Sequence, residues 1–207
     1  MVIYSPMNLL KDNIKHLKVK LASKSPRRQE LLGKIIDDFE IVSKEIEEVY
    51  PENLEISSVA SYLANLKAKS YKNEAQKNEL YITADTVVVF NNEVLGKPNS
   101  KKDGVNMLKK LSGNTHHVYT GVSLLLNEEI SSFYDVTKVT FYKLKKEEIN
   151  YYLDFYRPMD KAGSYGIQDW MGYVGIKRIE GDFFNVMGLP LHRLYREIEK
   201  IISKKNE

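Results

Sequence analysis

Two adjacent arginines at a predicted helix start are the side chains of this sequence best suited to bind an anion. Arg27 and Arg28 follow Ser25-Pro26, a pair typical of the first positions of a helix, directly after a short apolar strand. The unpaired N–H groups of a helix start and two guanidinium groups would together hold phosphate oxygens. The alternative is an ordinary surface helix, capped by Ser25, whose arginines are solvated.

A carboxylate within an apolar segment is the second candidate for chemistry. Asp85 lies among the β-branched and apolar residues of 81–90, a predicted strand in which an unpaired charge is costly. Acids in such positions are paired, bind a metal or take part in acid–base chemistry. The alternative is an aspartate at a strand end that hydrogen-bonds to the backbone.

Three further charged positions could complete such a site. Lys97 stands in the rigid turn Gly96-Lys97-Pro98, either as a point charge for phosphate or as a solvated side chain. One glutamate of the acidic run 45–48 could join Asp85 in holding a hard cation such as Mg²⁺, whereas charge runs are most often solvated faces. Lys67 borders an apolar helix face, and its alternative is to extend past that face to water.

Two glycine-aromatic segments, residues 163–168 and 181–190, complete the candidates. Glycine lets the backbone approach a ligand closely, and an aromatic ring gives a base a stacking partner. Tight turns with core aromatics are the alternative. His116 and His117 are adjacent on a predicted strand and therefore point to opposite faces, so they are not expected to form a metal-binding pair.

The elements that must position these side chains alternate between strands and helices and then become rich in strands. Strands are predicted near 18–22, 39–42, 81–90, 94–95, 117–126 and 130–142. Helices are predicted over 25–32, 57–77, 100–112, 146–155 and 191–202. This order predicts a mixed sheet in an α/β or α+β fold. Residues 1–17 are expected to form an extension ahead of a single domain, 18–207.

Composition excludes several classes of protein. The chain has 207 residues, 43% hydrophobic and 29% charged, which is ordinary for a globular protein. Its net charge of +3 is dispersed and does not favour nucleic acid or a membrane surface. The absence of cysteine excludes a disulfide framework and a thiolate nucleophile. No apolar run suggests a signal peptide or a membrane span, so we expect a cytoplasmic protein.

Five blocks of this sequence resemble the Maf family of nucleotide pyrophosphatases, over about residues 19–198. In order, they are LASKSPRRQELL, ADTVVVFNNEVLGKP, LSGNTHHVYTGV, DKAGSYGIQ and GDFFNVMGLPL. The resemblance implies a mixed α/β fold with a long, twisted mixed sheet flanked by helices and two lobes with a cleft. That architecture is similar to the inosine triphosphate pyrophosphatases.

The resemblance also implies a chemistry. The expected reaction splits a nucleoside triphosphate between the α- and β-phosphates, giving the monophosphate and pyrophosphate with a divalent cation, Mg²⁺ or Mn²⁺. The resemblance assigns Asp85, Glu48 and Lys97 to catalysis, with Asp85 and Glu48 as the metal ligands; which of these acids binds the metal and which takes a proton is left open. The substrate-binding residues that it implies are Ser23, Ser25, Arg27, Arg28, Lys67 and Gln168.

Base preference and regulation are the finer questions. The SPRR form of the first block, with Lys67 and Gln168, resembles the subgroup acting on dTTP and UTP rather than the one linked to 7-methyl-GTP. Arg157 and Asp169 depart from the family pattern beside the substrate loop. The alternative function is a regulatory nucleotide-binding protein of cell division without significant turnover, although a pure sensor needs no paired acids. A homodimer is left open.

Overall fold

The computed structural model describes residues 10–203, in which a seven-stranded mixed sheet is flanked by helices. The strands are β1 (Lys18–Ala22), β2 (Glu40–Val42), β3 (Glu79–Phe90), β4 (Glu93–Leu95), β5 (Thr115–Leu126), β6 (Glu129–Phe141) and β7 (Ile176–Glu180). The helices are α1 (Leu10–Asn13), α2 (Pro26–Leu32), α3 (Val59–Lys69), α4 (Lys101–Leu111), α5 (Lys146–Tyr156), α6 (Trp170–Gly175), α7 (Phe183–Met187) and α8 (Leu191–Ser203). The predicted mixed α/β class is confirmed. No helix in this part of the chain is long and apolar enough to cross a membrane.

The sheet has a parallel part and a longer antiparallel part. Its order is β2-β1-β3-β5-β6-β7, and β4 pairs with the end of β3. β1 runs parallel to β2 and β3, whereas β3, β5, β6 and β7 are successively antiparallel. The β5–β6 hairpin turns at Asn127 and Glu128, which both have positive φ angles. Such a turn matches the right-handed twist of long paired strands.

α3 packs directly on the centre of the sheet because β5 has a glycine at the crossing point. A Cβ atom built on Gly121 would lie 2.3 Å from the backbone carbonyl of Ala60 in α3. Gly121 pairs with Asp85 of β3. Close approach at this point therefore brings α3, which carries Lys67, to the strand that carries Asp85.

The helix predicted over 57–77 is shorter in the structure, so that prediction is wrong at its C-terminal end. α3 follows a 3₁₀ turn at Ile56–Ser58 and ends at Lys69. Ser70 donates its hydroxyl to the carbonyl of Lys67 at 2.8 Å, which satisfies a group at the helix end. The chain then turns so that Tyr71 packs on Tyr81, with ring centroids 5.0 Å apart. A buried aromatic contact thus ends the helix where the periodicity suggests continuation.

The interval between α5 and α8, which includes both predicted glycine-aromatic segments, contains a 3₁₀ turn at Ala162–Ser164 and three further short regular elements. They are α6, β7 and α7. β7 exists through its pairing with β6, a contact that is remote in sequence. α7 begins where the Asp182 carboxylate accepts the backbone N–H groups of Phe184 and Asn185 at 3.0 and 3.1 Å. Such short elements have too few residues to show a hydrophobic period.

The start of the described chain packs into the main core. Leu10 and Ile14 are buried in the same apolar cluster as Leu194 and Ile198 of α8. The backbone N–H of Leu10 also donates to the Tyr195 hydroxyl at 3.1 Å. This packing supports a proposed domain boundary before Leu10 instead of after residue 17. Residues 1–9 of the expected extension lie outside the described chain.

Candidate functional site

A cavity of about 730 Å³ lies where β1 passes into α2, beside the middle of β3. Several separate segments of the chain contribute to its wall. Its lining contains every site residue predicted from sequence: Ser23, Ser25, Arg27, Arg28, Glu48, Lys67, Asp85, Lys97 and Gln168. The fold therefore brings the predicted anion-binding residues and the predicted acids into one space.

The two predicted metal ligands share a protein cation. The Lys67 ammonium lies 2.5 Å from Asp85 Oδ1 and 2.8 Å from Glu48 Oε1. Lys67 is thus an ion-pair partner of both acids, and its side chain is not simply extended past an apolar face to water. Asp85 is buried and Glu48 is about half exposed, so the bridge runs from the sheet to the cavity wall.

The charges around Glu48 favour its ionised form. Burial by itself would raise the pKa of Glu48, but the hydrogen bond and charge of Lys67 outweigh burial. Lys97 and Arg28 act in the same direction at longer range. The pKa of Glu48 is therefore lowered below its ordinary value, and its carboxylate stays available to a cation.

The bridge leaves room for a metal ligand set. Lys67 engages one oxygen of each carboxylate, Asp85 Oδ1 and Glu48 Oε1. Asp85 Oδ2 and Glu48 Oε2 are then the oxygens that can bind a hard divalent cation, which prefers carboxylate and phosphate oxygens. The donor set at this position fits Mg²⁺ or Mn²⁺.

The helix start differs in detail from the prediction. Ser25 occupies the N-cap position of α2 with extended backbone angles, and Pro26 follows at the first helical position. The Ser25 side chain, however, makes no capping hydrogen bond. Instead Ser23 Oγ accepts the backbone N–H of Ser25 at 3.2 Å. Ser23 therefore organises the strand-to-helix turn, and the Ser25 hydroxyl is left at the cavity wall.

The two arginines have different roles in the structure. Arg28 donates from Nε to the Gly188 carbonyl at 2.8 Å, from Nη1 to the Ala84 carbonyl at 2.9 Å and from Nη2 to Thr86 Oγ1 at 3.0 Å. It therefore links α2 to β3 and to the turn after α7. The interpretation of Arg28 as a solvated surface residue is wrong.

Arg27 belongs to a charged chain that lines the same cavity. Its Nη1 atom lies 2.7 Å from the Asp160 carboxylate, whose other oxygen lies 2.9 Å from Lys161 Nζ. Lys161 is in turn 3.7 Å from Asp169. Burial would raise the pKa of Asp160, but the bonds from Lys161 and Arg27 outweigh it and lower that pKa to about 2. Arg27 is thus held by a carboxylate in the position where an anion would be held.

Asp160 and Lys161 are cavity residues for which no role was predicted from sequence. Both line the cavity, and both lie in the DKAG block, eight and seven residues before Gln168. The available signal was an adjacent acid and base directly before Ala162, next to the segment 163–168 that was expected to approach a ligand closely. Charged pairs in loops are common, so that signal is weak without the tertiary contacts.

Lys97 and Gln168 carry polar groups that the protein itself leaves unused. Within residues 10–203, Lys97 makes no hydrogen bond or ion pair, and its side chain is exposed at the cavity rim. Gln168 Oε1 is buried without a hydrogen-bond partner in the same part of the chain. An unused cation and an unused amide oxygen are groups that a bound ligand would satisfy.

Arg157 and Asp169, the two departures from the family pattern, lie in different surroundings. Arg157 ends α5 in a left-handed conformation, with φ of 45°, and its side chain is exposed outside the cavity lining. Asp169 accepts the Tyr152 hydroxyl at 2.9 Å and faces Lys161. Asp169 therefore acts on the cavity through Lys161, and Arg157 has no contact with it.

The histidine interpretation agrees with the structure. His116 is fully buried and hydrogen-bonds through Nε2 to the Tyr165 hydroxyl at 2.7 Å, whereas His117 is partly exposed on the other face of β5. A different group, Asp135, Asp182 and His192, brings three potential metal-ligand atoms within 4.8 Å of one another. None of these three residues lines the cavity.

Comparison with known proteins agrees with this geometry. A family profile described as Maf-like protein matches residues 18–201. A dTTP/UTP pyrophosphatase of Phocaeicola vulgatus is 49% identical over 92% of this chain and 99% of its own length. The dTTP/UTP pyrophosphatase of Flavobacterium johnsoniae is 42% identical over 94% of this chain and all of its own. That of Porphyromonas gingivalis W83 is 49% identical over 91% and 96%.

Among solved structures, the Staphylococcus aureus Ham1 protein aligns with a TM-score of 0.45 and 15% identity. The alignment covers 60% of this chain and 71% of that protein. The expected similarity to the inosine triphosphate pyrophosphatase architecture stays a prediction.

Proposed function

This chain belongs to the Maf-like protein family, and from that premise we propose that it is a nucleoside triphosphate pyrophosphatase preferring dTTP and UTP. The reaction is hydrolysis of the bond between the α- and β-phosphates, which yields a nucleoside monophosphate and pyrophosphate. The observation that carries the proposal is the Asp85–Lys67–Glu48 bridge, in the same cavity as Arg27 and Lys97. Acids and phosphate-binding cations are thus combined in one space.

Arg27 and Lys97 are the groups that receive the phosphates. Lys97 has no protein partner among the described residues, and Arg27 is held by Asp160, a half-exposed carboxylate that a polyphosphate can replace. Guanidinium and ammonium groups offset the negative charge that develops on the departing pyrophosphate. Arg28 supports this arrangement by holding α2 against β3.

Asp85 and Glu48 are the catalytic acids. Their oxygens that Lys67 leaves free, Oδ2 and Oε2, would hold the divalent cation and accept the proton of the attacking water. Bound Mg²⁺ or Mn²⁺ polarises a phosphate oxygen and lowers the pKa of water. Lys67 bonds to both carboxylates, and its hydrogen bond and charge lower the pKa of Glu48 against the opposing effect of burial.

Gln168 is proposed to recognise the base of the nucleotide. Its unpartnered amide oxygen is buried at the cavity wall, and an amide offers both an acceptor and a donor to a pyrimidine edge. Relatives at 42% and 49% identity carry the name dTTP/UTP pyrophosphatase. We therefore propose that dTTP and UTP are hydrolysed faster than the purine triphosphates. We also propose that the protein is cytoplasmic. Its assembly as a monomer or homodimer is to be measured.

A panel of canonical and modified triphosphates, with and without Mg²⁺ or Mn²⁺, tests the proposal. Product analysis by chromatography should give monophosphate and pyrophosphate in equal amounts, fastest with dTTP and UTP. Accumulation of diphosphate and orthophosphate would place the cut at the γ-phosphate and contradict the reaction. Tight nucleotide binding without turnover would favour the regulatory alternative, and a preference for 7-methyl-GTP would contradict the assigned base.

A further inference from the structure

A second group of potential metal ligands lies outside the cavity lining, at the start of α7. Asp135 comes from β6, Asp182 precedes α7 and His192 lies in the first turn of α8. The His192 ring stands between the two acids, with Nδ1 3.3 Å from Asp182 Oδ2 and Nε2 3.7 Å from Asp135 Oδ2. Three separate segments of the chain therefore converge on one point.

The charge balance of this group differs from that of the cavity. In the cavity, the Lys67 ammonium neutralises Asp85 and Glu48 at 2.5 and 2.8 Å. Neither Asp135 nor Asp182 makes an ion pair with a lysine or arginine anywhere in residues 10–203. Their side chains are only 19% and 14% exposed. Backbone N–H groups donate to both carboxylates, those of Phe184 and Asn185 to Asp182 and that of Val136 to Asp135. Within the described residues neither acid has a permanently charged partner, since an imidazole carries charge only when protonated.

We propose that Asp135, Asp182 and His192 bind a divalent transition-metal cation, with Zn²⁺ the preferred occupant. Two carboxylate oxygens and one imidazole nitrogen form a mixed oxygen–nitrogen donor set, which suits Zn²⁺ better than Mg²⁺ or Ca²⁺. In the structure each ring nitrogen of His192 faces a different acid, and the side chain is 65% exposed. Metal binding therefore requires the ring to turn until one nitrogen faces both carboxylates, and water would complete the coordination.

The proposed site has a structural role that connects to the cavity. Asp182 and His192 bracket the segment that contains α7 and Gly188, and Asp135 belongs to the neighbouring strand β6. The Gly188 carbonyl accepts Arg28 Nε at 2.8 Å. A cation at this group would fasten both ends of the segment to the sheet and so restrain a carbonyl that positions Arg28.

Zinc titration of the full-length, nucleotide-free protein after chelator treatment tests the site. Isothermal titration calorimetry should show one Zn²⁺ site that is weakened at least ~10-fold in both His192→Ala and Asp135→Asn. Asp135→Asn retains Oδ1 as the acceptor for the Val136 N–H, and His192 is mostly exposed, so both variants should fold. His16→Ala, which removes an exposed histidine elsewhere, is the matched control and should bind as the wild type does.

A second variant separates this site from the cavity. Asp85→Asn removes a proposed cavity ligand and should leave the Zn²⁺ site intact. Zn²⁺ should also raise the thermal midpoint of wild type, Asp85→Asn and His16→Ala but not of the two site variants. The proposal is overturned if the wild type binds no Zn²⁺, if the site variants bind it unchanged, or if Asp85→Asn alone loses it. Because no substrate is present, these outcomes are independent of the proposed pyrophosphatase activity.

Discussion

At the scale of single residues, Lys67 changes the interpretation of the site most. The sequence suggested a metal as the partner that Asp85 and Glu48 share, and the structure places an ammonium between them. A protein cation at this point lets two acids lie close together in the substrate-free protein without strong repulsion. The cation proposed to bind there has to use the outer oxygens of both acids.

Asp85→Asn tests the catalytic assignment. The amide keeps the shape and an oxygen for Lys67, but it removes the charge needed for metal binding or proton acceptance. Turnover should fall at least ~100-fold in steady-state kinetics. The thermal midpoint should change little, because Lys67 keeps Glu48 as a partner. Asp154→Asn, which removes an exposed carboxylate outside the cavity, should be as active as the wild type. A fully active Asp85→Asn protein would contradict the role, and an unfolded one would make Asp85 a structural anchor.

Arg27→Ala and Arg28→Ala should have separable effects. Among residues 10–203, the Arg27 side chain bonds to Asp160 alone, so its loss should lower kcat/KM by ~10-fold or more and leave the thermal midpoint nearly unchanged. Arg28 bonds to Gly188, Ala84 and Thr86, so its loss should lower both kcat/KM and the midpoint.

The matched control for both arginines is Arg178→Ala, since Arg178 is an exposed residue of β7 outside the cavity. Its kinetics and midpoint should match the wild type. Equal midpoints for the two arginine variants would contradict the structural role of Arg28, and wild-type kinetics in both would remove the arginines from the site.

At the scale of elements, the position of α3 on the sheet decides where Lys67 lies. No other residue at position 121 would allow the helix to approach so closely, because any Cβ there would overlap the backbone of Ala60 and Ser61. The distance between Lys67 and Asp85 therefore depends on a glycine of β5 that does not touch the cavity.

Gly121→Ala should displace α3 and destabilise the fold by about 1–3 kcal/mol, as expected for overpacking. Because the displacement moves Lys67 away from Asp85, kcat should fall by ~10-fold or more. Chemical denaturation and steady-state kinetics measure the two effects. Gly96→Ala is the control for stability, because a Cβ there meets nothing within 4 Å. Unchanged stability in Gly121→Ala would show that the helix does not depend on this contact.

At the scale of the whole molecule, a buried histidine makes stability depend on pH. His116 belongs to β5 and hydrogen-bonds to Tyr165 of the glycine-rich segment. Its ring stacks on Phe141, with ring centroids 5.5 Å apart. Burial, aided by the charge of His117, lowers the pKa of His116 to about 3. The folded protein therefore keeps this imidazole neutral where the unfolded chain takes up a proton.

The sign of the effect follows from that difference. The stability that the lowered pKa of His116 contributes is fully present above the pKa of this histidine in the unfolded chain, near 6.5. It is lost as the pH falls towards the folded-state pKa of about 3. The free energy of unfolding should decline by up to about 1.4 kcal/mol per pH unit in this range. His116→Gln should flatten the decline between pH 6.5 and 5, where Glu48 and Asp160 keep their charges. Parallel wild-type and variant profiles from thermal unfolding would contradict this origin.

The sequence by itself determined the longer strands, the start of α2 and the residue types of the site. The Ser25-Pro26 helix start and the long apolar strand around Asp85 are local patterns, and their existence is confirmed. The residues predicted for the site also line one cavity. Their catalytic and binding roles stay predictions.

Only the tertiary structure decided which of these residues contact one another. Glu48, Lys67 and Asp85 come from a loop, a helix and a strand, and their meeting depends on α3 packing over Gly121. The structural bonds of Arg28 and the convergence of Asp135 with His192 likewise join residues far apart in the chain. Such contacts arise from packing of the whole core, which side-chain periodicity along one segment does not encode.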